Sequence, residues 1–262
     1  MKKSKLWIGG EHIEPSSGEY FEDLNPSDQT VIASVAKGTP NDVDKAVKSA
    51  QAAFHSFSES QAKEREAILS RAAALVERDR DQYLQLLIEE VGSPIMKAQF
   101  EVDYCINAFR AASGVPRRLT GQTMPLDRPG AFGMSIREPV GVVACITPFN
   151  VPLLKNVKQI AMVIATGNTS VLLPSEFASQ ITVKFAETLN EAGTPAGVFN
   201  YVTGNPFEIG DTLTRHPEIA AINFCGSPRI GKHVAELAAK DLKPVTLELG
   251  GKNPLVVLDD AD

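Results

Sequence analysis

The chain has 262 residues, 43% of them hydrophobic and 22% charged, an ordinary globular composition with apolar material for one large domain or a domain with an appendage. Its net charge of -6, with lysines and arginines scattered along the chain, offers no basic stripe from which a phosphate backbone could release counterions, so nucleic acid is excluded as a partner. No run approaches the roughly 18 apolar residues of a membrane span, and at the start Gly9, Gly10 and Glu11 interrupt any secretory core, so no membrane association is expected.

Thr39 and Pro40 open the first helical pattern as cap and first-turn proline, followed by Val43, Ala46, Val47, Ala50, Phe54 and Phe57 at helical spacing. Short extended signals precede it. A second helix is predicted over about 62–80, with Ile68, Leu69, Ala72, Leu75 and Val76 on one side. A third starts at Ser93 and Pro94, with the serine as cap, and runs towards Ala112. From Gly114 to Pro139 four glycines and four prolines rule out a long helix and fit a loop or an extended hairpin.

From Val140 the rhythm changes to short β-rich runs, Val140 to Ile146, Ser170 to Leu173, Val198 to Val202, Ala220 to Phe224 and Thr246 to Leu249, with helical patterns in every interval. This alternation predicts an α/β fold: a parallel sheet with helices on both faces. Ligands of such sheets bind beyond the carboxyl ends of the strands, which selects the segments immediately after each run.

Gly226 and Ser227 stand at the head of a helix, where backbone amides and a hydroxyl can seat a pyrophosphate; the same residues also read as an ordinary capped helix. Glu176, after Pro174 and Ser175, can accept hydrogen bonds from ribose hydroxyls or simply be a solvated glutamate. Asn150, after Pro148 and Phe149, can donate to a developing oxyanion or serve as a turn residue. Glu248, before Leu249, Gly250 and Gly251, sits at a strand tip where a carboxylate can activate water. Cys105, Cys145 and Cys225 are too widely spaced for a metal site and odd in number for a disulfide framework, which fits a reducing cytoplasm. None has a neighbouring histidine or acid that would make it a nucleophile, and the four histidines show no metal-ligand spacing, so no metal is expected.

Taken in order, Pro148-Phe149-Asn150, Pro174-Ser175-Glu176, Phe224-Cys225-Gly226-Ser227 and Glu248-Leu249-Gly250-Gly251-Lys252 resemble the NAD(P)-dependent aldehyde dehydrogenase superfamily. Asn25-Pro26, Glu90-Val91-Gly92, Arg137 to Val142 and Pro195 to Asn200 extend the likeness over essentially the whole chain. The resemblance implies a Rossmann-like open parallel sheet over 139–250, an amino-terminal, mainly helical region over 1–118, an oligomerisation-type hairpin over 119–138 and the start of a catalytic domain over 251–262. It implies NAD held by Ile146, Thr147, Pro148, Phe149, Ser175, Glu176, Phe224, Gly226, Ser227, Ile230, Leu249 and Gly250, with Asn150 in the oxyanion hole and Glu248 as the base.

In the family a cysteine thiolate attacks the aldehyde, hydride passes to the nicotinamide, and the glutamate activates water to release the acid. That cysteine lies beyond the position of Glu248, and none of the three here stands in its context, so the resemblance implies the amino-terminal part of a longer enzyme that is itself a homo-oligomer. The isolated part would then leave apolar surface exposed and associate. Leu173 stands where the family usually carries a ribose-contacting lysine, which with Glu176 favours NAD over NADP. Phe149 replaces a more frequent tryptophan, and Pro206 a frequent glycine. Two other readings are a non-catalytic dinucleotide-binding module or subunit, and a relative acting on acyl phosphates or acyl thioesters.

Overall fold

A computed structural model of the chain describes residues 2–261. The amino-terminal part holds short strands β1 (Lys2–Ser4), β2 (Leu6–Ile8), β3 (Glu11–Ile13), β4 (Tyr20–Leu24) and β5 (Val31–Ala36), then helices α1 (Pro40–Ser58), α2 (Ala62–Arg78), α3 (Arg80–Val91) and α4 (Ile95–Ser113). Strands β6 (Gln122–Met124) and β7 (Gly133–Ser135) follow. The rest alternates: β8 (Val142–Ile146), α5 (Pro152–Ala165), β9 (Thr169–Leu173), α6 (Ser179–Glu191), β10 (Phe199–Tyr201), α7 (Pro206–Arg215), β11 (Ile219–Gly226), α8 (Pro228–Ala239) and β12 (Val245–Leu249).

The start of α1 is as its residues predict. Thr39 is extended, Pro40 begins the helix, and the buried Asp42 carboxylate accepts from the Thr39 amide at 3.0 Å and hydroxyl at 2.8 Å. The helix expected over about 62–80 ends two residues earlier, and α3 follows at once. Asp79 is the joint: its carboxylate takes Arg78 at 2.7 Å and Lys184 of α6 at 2.6 Å. Gly92 closes α3 at φ 67°, a left-handed turn that suits a residue without a Cβ. Ser93 does not cap α4 as expected. Pro94 is extended, so the helix begins one residue later, and the Ser93 hydroxyl accepts from Lys97 at 2.6 Å instead.

The predicted parallel sheet is present, with each strand within two residues of its expected limits. Its order is β12-β11-β8-β9-β10, and β2 and β3 extend it by antiparallel pairing beyond β10. Alternation along the strands divides two cores. Val143, Cys145, Leu172, Phe199 and Tyr201 pack with α2 to α6. Val142, Ala144, Val171, Leu173, Ile222 and Phe224 pack with α1, α7 and α8. Strands β1, β5 and β4 form a separate small sheet.

Within the segment 114–139 the extended hairpin alternative is present: after a 3₁₀ turn at Pro116–Arg118, β6 and β7 pair with each other, from Gln122 with Ser135 to Met124 with Gly133, and with no other strand among the described residues. Phe132, Met134 and Ile136 of this region are more than half exposed, as are Leu255 to Leu258 beyond β12.

Candidate functional site

Strand β8 lies between β9 and β11, and the chain moves away from it in opposite directions: through α5 to β9 and β10 on one side, and later through β11 and α8 to β12 on the other. This is a topological switch point, and a crevice opens there at the carboxyl ends of β8 and β11. The segments picked from the sequence after these strands are neighbours by that topology, since Phe224 pairs with Ile146, and Cys225 and Gly226 with Glu248 and Leu249.

Beyond β8 the Thr147 side chain turns inward. Its hydroxyl donates to Asn156 Oδ1 at 2.9 Å and its amide to the Leu173 carbonyl at 3.1 Å, so it ties β8 to α5 and β9. Pro148 is half-buried and Phe149 and Asn150 are exposed. The Phe149 ring stands edge-on to Phe177, 6.0 Å between centroids, an aromatic partner the sequence does not single out. Asn150 makes no side-chain hydrogen bond among the described residues, leaving its amide available as a donor. The start of α5 is held by the Glu101 carboxylate, which accepts from the Leu154 amide at 3.1 Å.

Beyond β9, Ser175 caps the 3₁₀ turn Glu176–Ala178 by accepting from the Phe177 amide at 3.3 Å. The half-buried Glu176 carboxylate has no hydrogen-bond partner among the described residues. Beyond β11, Ser227 is the cap of α8, its Oγ accepting from the Ile230 amide at 3.3 Å. The Gly231 amide bonds the Ser227 carbonyl at 2.9 Å and Pro228 has no amide hydrogen, so Arg229 supplies the first free amide of the helix.

Beside this helix start is an apolar cavity of about 250 Å³ whose walls include Ile146, Leu173, Phe207, Phe224, Ile230 and Val234. Its chemistry suits a flat apolar base, next to a helix terminus that suits an anion, so these residues could hold a dinucleotide. Ile146, Phe224 and Ile230 were selected from the sequence. Phe207, Asp211 and His233 at the rim were not; His233 Nε2 lies 2.8 Å from Asp211 Oδ1. The one signal for Phe207 is the Asn205-Pro206 start of α7 at a strand end, where Asn205 Oδ1 accepts from the Phe207 amide at 3.0 Å.

Glu248 projects from β12 towards the face that α5 covers. It pairs with Lys155 Nζ, and Lys158 Nζ is 3.8 Å away. The Lys155 hydrogen bond holds the Glu248 carboxyl below the usual range against a smaller opposing effect of burial. Burial works against the charge of Lys155, yet its bond to Glu248 and the charge of that carboxylate, with Cys225 beside it, outweigh burial and raise it. Leu249 points the other way, against Gly231, where a Cβ would lie 2.4 Å from a Leu249 methyl. Gly250 is exposed.

All three cysteines are buried. Burial raises the thiols of Cys105 and Cys145, and of Cys225 despite the opposing charge of Lys155. These are poor conditions for a thiolate nucleophile. Among the described residues no group of three or more His, Cys, Asp or Glu could hold a metal ion, and no helix is long and apolar enough to cross a membrane.

Residues 12–262 match the sequence model of the aldehyde dehydrogenase family. A salicylaldehyde dehydrogenase of Pseudomonas putida is 36% identical over 263 residues, covering 99% of this chain and 54% of the relative. A crystal structure of betaine aldehyde dehydrogenase from Staphylococcus aureus in complex with NAD+ superposes with a TM-score of 0.94 at 32% identity, covering 99% of this chain and 52% of that one. An NADP-dependent enzyme of E. coli superposes with a TM-score of 0.95 at 33% identity, covering 100% and 54%. The chain spans about half the length of the curated relatives it matches.

Proposed function

The chain belongs to the aldehyde dehydrogenase family, and from that premise we propose that it carries the dinucleotide site and the general base for oxidation of an aldehyde to a carboxylic acid with NAD. One observation carries the reading: the switch point between β8 and β11 gathers the α8 start, the apolar cavity, the free Asn150 amide and the Glu248 carboxylate along one edge of the sheet. Gly226, Ser227 and the Arg229 amide seat the pyrophosphate. Ile146, Leu173, Phe224 and Ile230 enclose the adenine, with Pro148 and Phe149 along the path from it. NAD held there would supply the acceptor for the hydride that leaves the aldehyde carbon once a nucleophile has added to it.

Asn150 donates to the oxygen that gains negative charge when a nucleophile adds to the aldehyde carbon. Glu248 takes the proton of the water that releases the acyl group. The Thr147 and Ser175 side chains shape the floor from below rather than touching the ligand. Because the thiols of Cys105, Cys145 and Cys225 are buried and raised, the reading requires a cysteine supplied by polypeptide outside these 262 residues. The same observation favours a second reading, in which these residues bind dinucleotide without oxidising anything.

NAD is preferred to NADP on charge. Glu176 repels a 2′-phosphate, and Leu173 offers no cation to offset it. The hairpin of β6 and β7, which pairs with no other strand among the described residues, is the expected homo-oligomer contact of the full-length enzyme.

Calorimetric titration of the 262-residue chain with NAD and NADP tests the cofactor, with Glu176→Gln expected to narrow the gap between them. A longer polypeptide carrying the thiol is expected to form NADH from an aldehyde panel, with Glu248→Gln suppressing acyl release. A folded longer polypeptide that makes no NADH from any member leaves the binding module as the function; a chain that binds neither nucleotide sinks both readings.

A further inference from the structure

Lys155 is the fourth residue of α5, with its side chain only 10% exposed. An ammonium in the first turn of a helix opposes the positive end of the dipole, and burial removes its water. Its one carboxylate within 4 Å among the described residues is Glu248, reached across 93 positions of sequence and itself 52% exposed on the edge strand β12. Lys158, one turn further along α5, stands 3.8 Å from the same carboxylate oxygen. Cys225 is the register partner of Glu248 on β11. α8 packs on the opposite face, against Leu249. Two ammoniums and a protonated thiol are therefore the titratable groups that face Glu248.

We infer that Lys155 is the positioning residue of Glu248, drawing the carboxylate onto the α5 face and keeping it an anion between proton transfers. The inference rests on reading Glu248 as the base. A Glu248 that has taken a proton from water leaves Lys155 buried without a counter-charge and Lys158 close by, so the proton passes on to solvent and the base is restored. The pair thus trades intrinsic basicity for a carboxylate that is ionised further into the acid range. A methionine at 155 would fill the space and remove the charge, freeing the carboxylate to swing into water.

The test is a carboxyl ¹³C NMR titration of the 262-residue chain labelled at glutamate, with Glu248 assigned by its loss in Glu248→Gln. Wild type and Lys155→Arg are expected to titrate below the ordinary glutamate range, and Lys155→Met distinctly higher. An ordinary midpoint in wild type overturns the inference without any variant, and so does an unchanged midpoint in a folded Lys155→Met. In the longer polypeptide, Lys155→Met is expected to move the acid limb of kcat to higher pH, with aldehyde KM little changed and Lys155→Arg restoring the profile. Below that limb the rate falls about tenfold for each unit of displacement. An unmoved limb in an active enzyme refutes the inference. A shifted NMR midpoint in a protein that oxidises no aldehyde refutes the functional reading while the pairing stands.

Discussion

Gly226→Ala isolates the link between backbone approach and the dinucleotide site. Gly226 does not have a positive φ, so alanine brings no backbone strain and the effect is steric. A Cβ there would lie 2.6 Å from Phe224 Cζ and 3.1 Å from its Cε1. Carbon contacts are comfortable from about 3.5 Å, so the ring must retreat by about 1 Å. Phe224 is 4% exposed and packed with Ile222 and Val234, and the open direction is the 250 Å³ cavity it lines. Overpacking of this kind costs about 1–3 kcal/mol. If the ring moves into the cavity, most of that cost appears when the adenine enters, and about 1.4 kcal/mol is a tenfold loss of affinity. Calorimetry with NAD should show that loss, whereas nicotinamide mononucleotide, which has no adenine and meets the new Cβ only through its phosphate, should lose distinctly less. The double variant Gly226→Ala/Phe224→Leu, with a shorter side chain, should recover NAD affinity. Unchanged NAD affinity in Gly226→Ala, or an equal loss for the mononucleotide, would refute the assignment of the cavity to the base.

Three further outcomes follow from the charged and thiol groups. Asp23 and Glu90 are buried together; burial raises both carboxyls, Asp23 Oδ2 has no hydrogen-bond partner among the described residues, and Glu90 already accepts the Gln180 and Ile181 amides. Raised folded values mean stability that is full below the ordinary carboxylate range and lost as pH rises through them, so Asp23→Asn should flatten that decline in urea titrations across pH. Asp79 is the opposite case: its Arg78 and Lys184 bonds lower it to about 2, so its contribution is present above the ordinary aspartate range and lost as pH falls towards that value. Asp79→Asn should cost about 2 kcal/mol at pH 7 and little at pH 2, read from the same urea titrations. Ellman's reagent should leave all three thiols of the native chain unmodified over minutes and react with all three after unfolding; rapid native labelling of Cys225 would reopen it as a nucleophile.

The middle of the central sheet was legible because β8, β9 and β10 are buried on both faces and read as nearly unbroken apolar runs, such as Val142 to Ile146, whereas the edge strand β12 is largely exposed. Strands β1 to β3 have three residues each, and β3 and β4 are largely exposed, so no long run or strict alternation marks them. The division of α2 from α3 carried no glycine or proline. Asp79 makes it through Lys184, 105 residues away, a partner that no local pattern reveals. Ser93 misled for a related reason, because its hydroxyl is engaged by Lys97, whose ammonium is in turn fixed 3.3 Å from the buried Glu101.

In the candidate site, what was legible is what the chain itself places at strand ends. Lys155 was not, since a lysine in an amphipathic helix reads as solvated until the strand order shows β12 beside β11 and Glu248 facing α5. Ser227 shows why two sequence readings can be one structure. A hydroxyl has one donor and two acceptor lone pairs. Its acceptor side is spent on the Ile230 amide, which is the cap, while its proton remains free to bond an anion at the same helix start. Capping and phosphate binding therefore do not compete at this position: the cap fixes the hydroxyl where a phosphate oxygen would meet it, beside the free Arg229 amide. Ser175 caps the turn after β9 by the same use of its acceptor, and there it holds Glu176 at the strand end, where a ribose would come within reach.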